Sequence, residues 1–166
     1  MRSLHQALAK RAPHRRHLVQ GEGSKQALLS TFKRDQSAVL VATLSFWEGV
    51  DVPGRALRLV ALEKIPFPVP SDPLFSARAQ ELESLGRNPF QELSIPMAQM
   101  TLQQGFGRLL RTQTDSGLVA ILDSRLVTRS YGKRLLRALP PAPQLFHLKE
   151  ALGFLRELGE GPPESG

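Results

Sequence analysis

Apolar positions along the chain fall into two kinds of pattern. Short runs rich in valine and leucine alternate with longer stretches in which apolar residues recur at helical spacing. Continuous apolar runs bounded by turn residues suit strands buried on both faces, as in parallel sheets. Residues 17–20 (HLVQ), 38–44 (AVLVATL), 56–62 (ALRLVAL) and 118–122 (LVAIL) are predicted strands, the third stopped by Pro66, Pro68 and Pro70. Residues 1–11 predict a helix carrying Leu4 and Leu8. Ser24 predicts the N-cap of a helix through Arg34, with Ala27, Leu28 and Phe32 toward the core. Further helices are predicted over 73–85, stopped by Gly86, over 96–111 from Pro96, over 125–138, and over 144–158. The last keeps Leu145, Leu148, Leu152, Leu155 and Leu158 in register, and the tail from Gly159 is expected to be disordered. Strands separated by helices imply an α/β layered domain with a mainly parallel sheet. The chain nevertheless opens on a helix, where a doubly wound sheet more often opens on a central strand.

Composition narrows the class. Apolar residues make up 41% and charged residues 22%, the balance of a soluble globular domain. No apolar run approaches the roughly 20 residues that span a bilayer, so no membrane role is expected. The chain has no cysteine, which excludes disulfides, thiolate zinc and ligation of an iron–sulfur cluster by this chain. The first 19 residues are basic without an apolar stretch, so no signal peptide is read and a cytoplasmic location is expected. Net charge is +7, and its distribution is uneven: residues 1–34 hold eight basic residues against one acid, Glu22, while the remainder balances. A second basic cluster comprises Arg125, Arg129, Lys133, Arg134 and Arg137. Arginine supplies 16 of the 22 cations, which suits phosphate recognition and equally reflects a GC-rich coding bias.

Four segments carry candidate chemistry. Gly21–Lys25 (GEGSK) joins a strand to a helix but lacks the G-x-x-x-x-G-K-[ST] pattern of a phosphate-binding loop, so a tight turn is the simpler reading and a single phosphate at the capped helix N-terminus the alternative. Residues 43–54 follow a buried strand at the edge where open α/β sheets bind ligands. There Thr43, Ser45, Glu48 and Asp51 alternate with Phe46, Trp47 and Val50, which reads as either a polar site or a packed loop. In Gln104-Gly-Phe-Gly107-Arg108-Leu-Leu-Arg111, the two arginines stand at i and i+3 on one helical face. They suit either a phosphate grip or surface ion pairs. Residues 114–125 hold turn residues Asp115 and Gly117, then Asp123 and Arg125 at a strand end, positioned for a local ion pair. His5, His14, His17 and His147 show no metal-ligand spacing.

The order SFWEGVDVPG, KIPFPVPSDP, NPF, QGFGRLLR, TDSGLVAILDSRL, YGKRLLRALP closely resembles the carboxyl-terminal motor domain of DinG-type DNA helicases, bacterial relatives of the XPD helicases in superfamily 2. The resemblance covers about residues 17–141. It implies a RecA-like, P-loop NTPase-type three-layer domain over 1–141, followed by the amphipathic helix (142–158) and tail (159–166). Arg108 and Arg111 would match the motif VI arginines that reach the γ-phosphate, with Gln104 and Gly107 beside them. Glu48, Gly49 and Asp51 would match motif V, and Thr43, Ser45 and Trp47 lie nearest the expected single-stranded DNA side. ATP and Mg2+ would be shared with a first motor domain, the expected partner in the same or a separate chain, along with single-stranded DNA. The family's phosphate-binding loop and DEAH-type motif are not in this sequence, so the chain alone is not expected to hydrolyse ATP. The strand carrying motif IV should precede Met1, which would make residues 1–11 the helix after it and the chain a fragment. A non-catalytic nucleic-acid-binding module and a non-functional helicase remnant are the alternatives.

Overall fold

The structure is a computed structural model that describes residues 1–47, 52, 56–109 and 115–160. In chain order it comprises α1 (Arg2–Arg11), β1 (His17–Val19), α2 (Lys25–Arg34), β2 (Val39–Val41), a 3-10 turn (Leu44–Trp47), β3 (Leu59–Leu62), α3 (Pro73–Ser84), a π-helical turn (Phe90–Ser94) continuous with α4 (Ile95–Leu109), β4 (Leu118–Ile121), α5 (Arg125–Thr128), α6 (Ser130–Arg137) and α7 (Leu148–Glu160).

All strand pairing among the described residues is parallel. β1 pairs with β2 in the register His17↔Val39 to Val19↔Val41, and β3 pairs with β4 from Leu59↔Leu118 to Leu62↔Ile121. Parallel neighbours need a crossover, and α2 supplies the first while α3 and α4 lie within the second. The strands thus form two parallel pairs rather than one ladder. β2 and β3 are shorter than the apolar runs that contain them. β2 ends at Val41 because Gln20, the residue after β1, closes the ladder onto the Val41 carbonyl, and the chain then turns into the 3-10 segment.

Local signals set most helix ends. Ser24 Oγ accepts from the Ala27 N–H at 3.2 Å, and Asp72 Oδ1 accepts from Phe75 N–H at 2.8 Å ahead of Pro73. At the end of α3, Gly86 takes φ +69, its N–H donates to the Glu83 carbonyl and Arg87 N–H donates to the Leu82 carbonyl, a Schellman closure. Pro96 does not open its helix. Asn88 Oδ1 caps the segment earlier, accepting from Phe90 and Gln91 N–H, and the helix runs on through the proline. Pro96 has no N–H for a four-residue bond, and the turn before it uses five-residue bonds such as Ile95 N–H to the Phe90 carbonyl.

The helix expected over 125–138 is two. Arg129 is extended (φ −104, ψ 147), and α6 folds back on α5 so closely that a Cβ at Gly132 would lie 1.8 Å from the Leu126 carbonyl oxygen. The last helix begins later than expected, at Leu148, with the His147 N–H reaching Glu150 Oε2 as in a capping box, and it continues through Gly159 to Glu160. The main core lies on the β3–β4 side, where Ile65, Ile95, Ala98, Leu102, Leu126 and Leu135 are buried together against Leu62 and Ile121. α1 buries no residue.

Candidate functional site

Parallel pairing sends both carboxyl ends of β1 and β2 to one edge, and the polar residues there are held in place. Gln20 Oε1 accepts from both the N–H and the hydroxyl of Thr43, each at 2.8 Å. This fixes the start of the 3-10 turn, whose Phe46 N–H returns to the Thr43 carbonyl. Phe46 is buried, and Lys25 Nζ stands 5.2 Å from its ring centroid, a cation–π contact from the first residue of α2. Gly21, at φ +98, makes the bend between β1 and α2 that a side chain would strain. GEGSK is therefore a capped strand–helix turn, as its pattern indicated. Thr43 is exposed at this edge, and Ser45 and Trp47 belong to the 3-10 turn, their side chains lying outside what the structure describes. Glu48, Gly49 and Asp51 lie outside the described residues.

α4 is two-sided. Ile95, Ala98, Leu102, Gly105 and Leu109 are buried, while Gln104 and Gly107 are exposed. A Cβ at Gly107 would meet nothing within 4 Å, so the helix surface beside it is open. Gln103 Nε2 donates to the Ala138 carbonyl at 2.7 Å and ties α4 to the end of α6. Arg108 is carried on the same helix, its side chain outside what is described, and Arg111 lies outside the described residues. Gly117, expected as a turn residue, has no positive φ; it lets Leu109 pack close, 2.7 Å from where a Cβ would be.

At the carboxyl edge of β3 and β4, Asp123 makes the ion pair expected from its spacing and more. Arg125 Nε lies 2.9 Å and 3.1 Å from its two oxygens and Nη2 2.7 Å from Oδ2. The Arg125 N–H donates to Oδ1 and the Ile65 N–H to Oδ2, each at 3.0 Å. The Arg125 hydrogen bonds, helped by the Ile65 and Arg125 amides, hold the Asp123 carboxyl far below the usual carboxylate range against the opposing effect of burial. Arg125 is held above its ordinary value by the same contact. Arg125 also lies 5.7 Å over Phe67, which joins Phe90 and Tyr131 in a three-ring cluster. Gln20, Asn88 and this cluster were not foreseen. Gln20 and the rings act on residues far away in sequence, whereas Asn88 beside Pro89 was a readable cap.

The helicase C-terminal domain family matches residues 1–142. The chain belongs to this family. It is 48% identical over 139 residues to the ATP-dependent DNA helicase YoaA of Haemophilus influenzae, covering 84% of this chain and 22% of that protein. It is 49% identical over 138 residues to YoaA of Escherichia coli, covering 83% and 22%. It is 45% identical over 141 residues to the ATP-dependent helicase DinG of Mycobacterium tuberculosis, covering 85% and 21%. The chain thus spans about a fifth of the length of these relatives. It is a DinG-type helicase C-terminal domain with a RecA-like α/β fold, and its two parallel pairs are part of that fold. No helix among the described residues is long and apolar enough to cross a membrane.

Proposed function

We propose that this domain is the second motor domain of an ATP-dependent DNA helicase of the DinG type, acting in the cytoplasm in DNA repair. Its partner is a first motor domain carrying the phosphate-binding loop and acidic motif, and single-stranded DNA is the track. The carrying observation is the match of residues 1–142 to the helicase C-terminal domain, with close to half of the aligned positions identical to ATP-dependent helicases.

The residues present fit the phosphate end of ATP. Gln104 and the open backbone at Gly107 share the exposed side of α4, and a guanidinium follows at once in sequence. Arg108 and Arg111 would approach the γ-phosphate across the interdomain cleft, where fixed guanidinium groups oppose the charge that builds on the transferring group. ATP, when bound, supplies that phosphoryl group. ATP and Mg2+ would be shared with the first motor domain. Glu48, Gly49 and Asp51 would relay nucleotide state to the DNA side, where Thr43, Ser45 and Trp47 would face the strand. Gln20 supports this by holding Thr43 at the edge.

The test is direct. The isolated chain is expected to show no DNA-stimulated ATP turnover, and measurable turnover would overturn the reading. Joined to a first motor domain, Arg111→Ala is expected to reduce turnover about a thousandfold, as loss of an arginine finger does. Unchanged turnover in that variant would remove Arg111 from the site.

A further inference from the structure

The excess charge of residues 1–34 has a place in the fold. Both helices on the β1–β2 side end on the same dipeptide, Lys10-Arg11 on α1 and Lys33-Arg34 on α2. Each helix then leads through a short loop into a strand. Because β1 and β2 are parallel with His17 opposite Val39, the two loops meet at one edge, the amino edge. Arg15 Nη1 donates to the Ser37 carbonyl at 3.1 Å, and Val39 N–H donates to the Arg16 carbonyl at 2.8 Å, which locks the loops together. Arg15, Arg16 and Arg34 meet there, Lys10, Arg11 and Lys33 stand on the helix ends that lead into the same edge, and all six are exposed. A shallow groove runs among Arg16, Thr31, Arg34 and Ser37.

One acid, Asp35, lies in this groove; it is held by Ser37 and also offsets part of the charge of Arg16. Its Oδ1 accepts from the Ser37 hydroxyl at 2.7 Å and from the Ser37 N–H at 3.1 Å, and these bonds hold its carboxyl below the ordinary value. Lysine and arginine in the last turn of a helix are favoured by the helix dipole, which accounts for Lys10-Arg11 and Lys33-Arg34 taken singly. It does not account for Arg15 and Arg16 beside Arg34 at the edge both helices lead into, since like charges brought together repel. An anion on this edge would relieve that repulsion. Thr43 stands at the opposite, carboxyl edge of this pair, and none of these six is among the residues matched to motifs V and VI.

We propose that the amino edge of the β1–β2 pair is a sequence-independent binding surface for the phosphate backbone of duplex DNA. The choice of DNA over an acidic protein rests on the helicase reading above; the choice of duplex over single strand rests on this edge itself. Single-strand grooves pair cations with aromatic platforms. The described side chains of this groove are Arg, Thr, Asp, Gln and Ser, and the nearby Phe32 is buried. His14, exposed in the loop with Arg15 and Arg16, stands outside the groove's lining, and a cationic groove with no ring in that lining matches a stacked duplex, whose phosphates face outward.

The test is fluorescence anisotropy of a labelled 20-base-pair duplex against the 166-residue chain over a range of salt. The double variant Arg16→Glu/Arg34→Glu is expected to lose at least tenfold in affinity. Arg16→Ala/Arg34→Ala is expected to lose less and to flatten the log–log salt slope by about 2, near 0.9 per phosphate contact. Thermal melts of both variants by circular dichroism are expected to match the parent, and the alanine variant carries the test if the glutamate one misfolds. Lys133→Ala/Arg134→Ala, the same charge change on exposed α6, is expected to bind like the parent. Equal loss from that control would mean net charge alone acts and would overturn the proposal. So would unchanged binding in the arginine variants, tighter arginine-dependent binding of a 20-mer single strand, or arginine-dependent binding of polyglutamate but not duplex. This assay needs no ATP turnover, so its failure is separate from failure of the motor reading.

Discussion

Asp123 joins three segments through one carboxylate: its own strand end, the first turn of α5 and the chain after β3. Its side chain is only 7% exposed, so removing it would leave the Ile65 amide without this partner, while the Arg125 guanidinium, 43% exposed, would turn to water. Asp123→Ala is expected to cost about 1–3 kcal/mol, read by urea unfolding at neutral pH. Because the folded carboxyl is held below its unfolded value, this contribution is complete above the unfolded pKa. It is lost as pH falls from about 4 toward the folded value. The gap between parent and variant is expected to narrow below pH 4, and a gap constant from pH 7 to pH 2.5 would refute the linkage. The local half of this contact, Asp123 with Arg125, was legible from a spacing of two residues. The other half, Ile65, lies 58 residues away and was not. Thr43 is similar: its polarity at a strand end was readable, but Gln20 as its anchor followed only from the β1–β2 register.

Among the elements, those closed by local chemistry ran close to expectation. α2 begins after Ser24 and α3 ends at a left-handed Gly86 because a cap is decided by residues within one turn. Ser24→Ala is expected to lower stability by about 1 kcal/mol without altering the fold, as measured by denaturant titration. The α5–α6 corner is different. Its apolar and basic spacing reads as one helix, yet the chain breaks at Arg129 so that Leu126 and Leu135 enter the same core. Gly132 permits that approach, and the opposing atoms are backbone, which cannot rotate away. Gly132→Ala is therefore expected to destabilise by about 3 kcal/mol or more, through overpacking against a main-chain oxygen. A variant melting within 2 °C of the parent would show that the corner opens at little cost.

At the scale of the whole molecule, burial is uneven. The largest buried cluster gathers α4, α5, α6 and the chain after β3, whereas α1 lies on β1 with every residue at least partly exposed. Local opening follows buried apolar contact, so native-state hydrogen exchange is expected to be fastest in α1 and slowest around Leu102 and Leu135. Uniform protection across both regions would contradict that order. The sequence by itself determined the α/β class, the approximate place of each strand and of most helices, several caps and the family. Periodicity, capping and motif order are written within a few residues of one another, and such signals survive without knowledge of the fold. Only the tertiary structure decided which ends share an edge. Lys10-Arg11 and Lys33-Arg34 are 22 to 24 residues apart and unremarked singly, and parallel pairing leads both helix ends into one edge. The break at Arg129 and the reach of Asp123 to Ile65 have the same origin: each is set by how buried side chains and backbone from distant segments fit together, which no local pattern encodes.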